Sequence, residues 1–92
     1  NMDDSYIINA NARKTIKNAK EYIEKVKNNS SSHQMKVSAI HYMGLRAKSE
    51  GKRKIYQVLR EGAQQLRREY IKNVIKDIEL KLIKKNEAIL DE

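Results

Sequence analysis

The 92-residue chain carries 20 Lys and Arg against 12 Asp and Glu, a net charge of +8, and its five aromatic residues are all tyrosine. Length allows one small domain, and the lack of Pro, Cys, Trp and Phe leaves Ile, Leu, Val, Ala, Met and Tyr to build its core. Without cysteine there is no disulfide or thiolate chemistry, which suits a reducing, cytoplasmic setting, and no apolar run is long enough to span a membrane.

Asp3 and Asp4 precede the first periodic segment, where carboxylates cap free amides and oppose the helix dipole. Ile8, Ala12, Ile16, Ala19, Ile23 and Val26 then recur at steps of three and four, which predicts helix 1 over about residues 4–28. The polar run that follows predicts a linker at 29–32. Ser31 and Gln34 have capping-box spacing, so helix 2 is expected over about 32–49, carrying Met35, Val37, Ile40, Met43 and Leu45. Gly51 is the natural stop through a left-handed cap, although a bend or a continuous helix through it is also open. Helix 3 is expected over about 52–90, nearly 60 Å of helix at ~1.5 Å per residue, too long for a 92-residue globule to cover.

Tyr42, Tyr56 and Tyr70 are two heptads apart, with Leu45, Leu59 and Leu66 at the matching apolar positions, a coiled-coil-like pattern. From Leu66 the steps become four, through Tyr70, Val74, Ile78 and Leu82, so the stripe rotates round the helix. Ile71, Ile75, Leu80 and Ile83 widen it, as in a helix bundle. The expected fold is all-α: a two- or three-helix hairpin or bundle with a long C-terminal helix, completed by oligomerisation. Leu59, Leu66, Tyr70, Val74, Ile75, Ile78, Leu82 and Ile83 are the expected oligomer interface. The tyrosines read as core-edge residues, with stacking platforms for nucleic-acid bases as the other reading. Gly44, Ala47, Gly62 and Ala63 would let helices approach closely.

Catalytic chemistry finds no support. His33 and His41, eight residues apart, stand about 12 Å along a helix and roughly 80° around it, so they cannot share a metal. No cofactor or metal is expected. Ser30, Ser31 and Ser32 read as turn and cap, and isolated glycines form no phosphate loop. Glu50 with Lys48 or Lys52, and Glu61 with Arg60, read as exposed ion pairs.

The positive signal is charge. Residues 1–31 are net +2, 32–54 net +5, 55–78 net +2 and 79–92 net −1. Arg46, Lys48, Lys52, Arg53 and Lys54 surround the helix 2–3 junction, and Arg60, Arg67 and Arg68 continue beyond it. Arg46, Arg53, Arg60 and Arg67 recur every seven residues, a ladder that can follow a phosphate backbone or supply interhelical ion pairs. The expectation is a non-enzymatic, oligomeric basic module that meets an anionic partner, DNA or RNA, through its backbone. The alternative is a protein–protein assembly subunit whose long apolar helix docks a partner with an acidic or apolar groove. A membrane-surface helix is disfavoured by the missing Trp and Phe and by acids among the lysines.

Overall fold

The computed structural model describes residues 10–90, and they form only helices and turns. A 3-10 turn at Ala10–Arg13 leads into α1 (Ile16–Lys27), α2 (His33–Ser49) and α3 (Arg53–Leu90). The expected capping by Asp3 and Asp4 lies outside the described residues.

Helix 1 starts later than its apolar periodicity implies. Thr15 adopts an extended backbone, and its hydroxyl accepts the Asn18 amide at 3.0 Å, so a side-chain cap begins the helix at Ile16. The preceding turn is tied down separately. Arg13 donates to Glu50 Oε1 at 2.9 Å and lies 3.0 Å from Met43 Sδ, fixing the turn against the end of α2.

The connection to α2 is also locally determined. The Asn29 carboxamide oxygen accepts from both the amide and the hydroxyl of Ser31, which takes Ser31 out of the expected capping box. Ser32 caps α2 instead, accepting from the Met35 amide at 3.2 Å. At the far end Gly51 has φ +77°, its amide bonds the Lys48 carbonyl at 3.0 Å, and the Lys52 amide bonds the Ala47 carbonyl at 2.9 Å. This pair of bonds is a Schellman motif. The glycine therefore ends α2 and reverses the chain.

The three helices pack up, down and up. Tyr22 on α1 donates to the Ala39 carbonyl on α2, and Lys36 near the start of α2 reaches the Lys27 carbonyl at the end of α1. Ile23 lies against Gly62 and Lys27 pairs with Glu69 at 3.4 Å, so α1 runs parallel to α3. Ile40, Met43, Leu59 and Val26 are the largest fully buried side chains, joined by Ala19, Tyr22, Ala47, Ile55 and Ala63.

The expected small-residue packing holds. Gly44 and Ala47 are buried on α2, and Gly62 lies directly against Ile23. The Tyr–Leu heptads do not continue across Gly51: Tyr42 and Leu45 face outward on α2, while Ile40, Met43 and Ala47 face the core.

This body ends near Tyr70, where His33 stacks on the tyrosine ring with centroids 3.8 Å apart. Beyond it, among the described residues, α3 runs on alone: every residue from Tyr70 to Leu90 is exposed. The radius of gyration is 17.7 Å and the long dimension 63 Å, against ~12 Å expected for the radius of gyration of a compact chain this size. Charge divides at the same place. Residues 1–70 hold 15 basic and 7 acidic side chains, net +8, whereas 71–92 hold five of each, net zero.

Candidate nucleic-acid interface

The turn at Gly51 divides the expected basic cluster. Arg46 stays on α2, where it donates to the Tyr42 hydroxyl at 3.3 Å and lies 5.9 Å from that ring's centroid. Lys48 sits 5.4 Å from the Tyr56 ring centroid, a cation–π contact. Lys52 pairs with Glu50 at 3.5 Å. The ladder therefore keeps three rungs, Arg53, Arg60 and Arg67, on one side of α3 over about 21 Å. Lys54 and Arg68 each stand about 100° round the helix from their neighbour in that column.

None of Arg53, Lys54, Arg60, Arg67 and Arg68 forms an ion pair among the described residues. The carboxylates in the body that do pair are engaged elsewhere. Glu50 takes Arg13 and Lys52, and its carboxyl is held below the ordinary value, chiefly by the Arg13 hydrogen bond. Glu69 is likewise lowered, first by the Gln65 hydrogen bond and then by Lys27. The expected Glu61–Arg60 pair does not form.

Where α2 packs on α3 the surface falls into a groove of about 380 Å³. Arg60, Arg67, His41 and Gln64 border it, with Gly44 and Ala63 at its base. Two guanidinium groups, an imidazole and an amide thus surround one concave face, a donor set suited to phosphate oxygens. His41 and Gln64 were not legible as site residues, because only the chain reversal at Gly51 brings α2 beside the arginine column. His33 lies apart, on Tyr70, and among the described residues no group of three His or carboxylate side chains could hold a metal.

The expected oligomer interface also needs correction. Leu59 is fully buried inside the chain's own core and Leu66 packs against that core, so neither faces a second molecule. Tyr70, Val74, Ile75, Ile78, Leu82 and Ile83 are all exposed. Among the described residues no helix is long and apolar enough to cross a membrane. No protein-family model matches the chain, and no curated protein or solved structure is detectably similar to it.

Proposed function

We propose that this protein is a non-enzymatic, oligomeric binding module whose basic body grips the phosphate backbone of DNA or RNA. The observation that carries this reading is the column of Arg53, Arg60 and Arg67, unpaired among the described residues, with Arg60 and Arg67 bordering the α2–α3 groove. Side chains used for folding are normally paired or packed. These three project from a body that holds the entire +8 excess. Backbone contacts of this kind give affinity without base readout, and each neutralised phosphate releases condensed counterions.

Titration of nucleic acid across a salt series tests this. Log affinity should fall linearly with log salt, with a slope of about 0.9 per phosphate neutralised on duplex DNA. Arg53→Ala and Arg60→Ala should each weaken binding to all sequences alike and flatten that slope by about one. Helicity and mass should not change, because neither side chain touches the core. No measurable binding at ~50 mM salt, a condition that favours electrostatic association, overturns the reading.

A second reading, a protein-assembly subunit, is favoured by the α3 tail. Val74, Ile75, Ile78, Leu82 and Ile83 stand exposed on it, with no packing partner among the described residues. Under that reading the charge serves solubility, and the arginine variants change nothing in the salt series.

A further inference from the structure

We infer that two copies pair through their α3 tails in antiparallel orientation, which sets the two basic bodies at opposite ends of a rod. This rests on the self-association in the proposed function and adds the partner surface and its direction.

The tail carries its own seam. Ile71, Ile75, Ile78, Leu82, Lys85 and Ile89 follow one another at steps of 4, 3, 4, 3 and 4, the heptad spacing that keeps one face toward a neighbouring helix. The five apolar members are between 49% and 58% exposed, so the seam is open along its length. Tyr70 and Val74 flank it on one side. Ile83 stands about 110° away, so a pair leaves it at the surface.

A second copy is the occupant this chemistry selects. With five basic and five acidic residues, the segment 71–92 has no net field to attract a strongly charged partner. A like tail offers the same apolar spacing and no net repulsion.

Two observations then fix the direction. Lys85 occupies a seam position. A parallel pair in register would set two Lys85 ammonium groups face to face inside the seam. An antiparallel pair overlapping over 71–89 sets Lys85 against Ile75 of the second copy, where its stem can pack and its ammonium can reach water. The second observation is the charge division. A parallel pair crowds two +8 bodies together at one end, and an antiparallel pair holds them apart by the length of the tails.

The chain has no cysteine, so Lys54→Cys on exposed Lys54 gives one spin-label site per copy. Double electron–electron resonance should report a label separation of about 70–80 Å, from ~1.5 Å of rise per residue between the label and the centre of the overlap. Small-angle scattering should give a maximum dimension of about 95 Å, because two 63 Å molecules overlap along about 30 Å of helix. Light scattering should give an even multiple of 10.8 kDa. A separation under ~50 Å, a maximum dimension near 65 Å, or a monomer or trimer mass overturns the inference.

Ile78→Asp changes a residue that touches nothing in the body. It should return the mass to 10.8 kDa with the body still folded, and an unchanged oligomer mass also overturns the inference. The two failures stay distinct. The label separation decides orientation, whereas the salt titration, repeated on monomeric Ile78→Asp, decides phosphate binding.

Discussion

Replacing Gly62 by alanine should destabilise the body, although the same change in an open helix would stabilise it. A Cβ at Gly62 would lie 2.5 Å from Ile23 Cδ1, 3.0 Å from Cγ1 and 3.3 Å from Cγ2. Swinging the distal methyl aside relieves only the first contact, so α1 and α3 must separate or Ile23 must leave its rotamer. Overpacking of this kind costs ~1–3 kcal/mol, and relief of the interior-glycine penalty returns ~1 kcal/mol. The net is a loss of about 1 kcal/mol, or ~4–8 °C in Tm for a domain of this size. Gly44 provides the control. There a Cβ meets Leu59 Cβ at 3.5 Å and Tyr56 Cδ1 at 3.7 Å, ordinary contact distances. Gly44→Ala should therefore gain up to ~1 kcal/mol. Thermal and urea unfolding followed by circular dichroism measures both variants. Adding Ile23→Val, which removes the closest atom, should make the double-variant loss smaller than the sum of the singles. Equal stabilisation by both alanines would refute the close α1–α3 contact.

Gly51→Ala should cost ~1–2 kcal/mol with little change in m-value, because φ +77° penalises any Cβ and the Schellman bonds depend on that conformation; a neutral result in urea titration would count against the left-handed cap. Glu50 and Glu69 titrate below the ordinary 4.5, so the stability they contribute is present above that value and is lost as pH falls through their lowered values. Glu50→Gln should lower the melting temperature at pH 7, with the difference from the parent chain shrinking in acid. Chelator treatment should leave the melting temperature unchanged, since His33 and His41 sit in separate surroundings; a shift of several degrees would mean that a metal site forms between copies.

The sequence places helices 2 and 3 on either side of Gly51 but leaves a bend or a continuous helix through it open, and the φ of +77° decides for the break. Helix 2 and helix 3 end and begin within a residue or two of their expected limits, because a glycine between two helix-forming segments readily takes the left-handed cap. Across residues 10–15 the apolar periodicity overstates helix 1, because it does not register that a threonine hydroxyl can capture an amide and start a helix at Ile16; residues 4–9 lie outside the described residues. Ser31 and Ser32 were confused because either hydroxyl can cap, and the Asn29 side chain, a tertiary detail, claims the first. The heptad linking Tyr42 to Tyr56 was a coincidence of spacing across a chain reversal. At the site, the α3 column of Arg53, Arg60 and Arg67 could be read from the seven-residue repeat. The groove could not, because it is made where α2 meets α3.

The arginine column and the apolar tail share one face of α3 more closely than their separate roles suggest. Continued at seven-residue steps, Arg53, Arg60 and Arg67 are followed by Val74, Lys81 and Ala88, a line that drifts by only ~20° per heptad. The column changes character where α1 and α2 end and Tyr70 stacks on His33. Below that level α3 is held by its own chain, so its outward residues are free to be charged. Above it the helix has no support among the described residues, and an isolated helix of about 20 residues with ordinary composition is marginal in water. In the proposed pair, an apolar edge there would gain both a partner and helical stability from the same contact. A seam confined to residues 71–89 leaves Arg53, Arg60 and Arg67 outside the paired region. On the proposed reading, pairing and phosphate contact are therefore compatible on a single helix, and a pair would double the phosphate contacts without adding a new site.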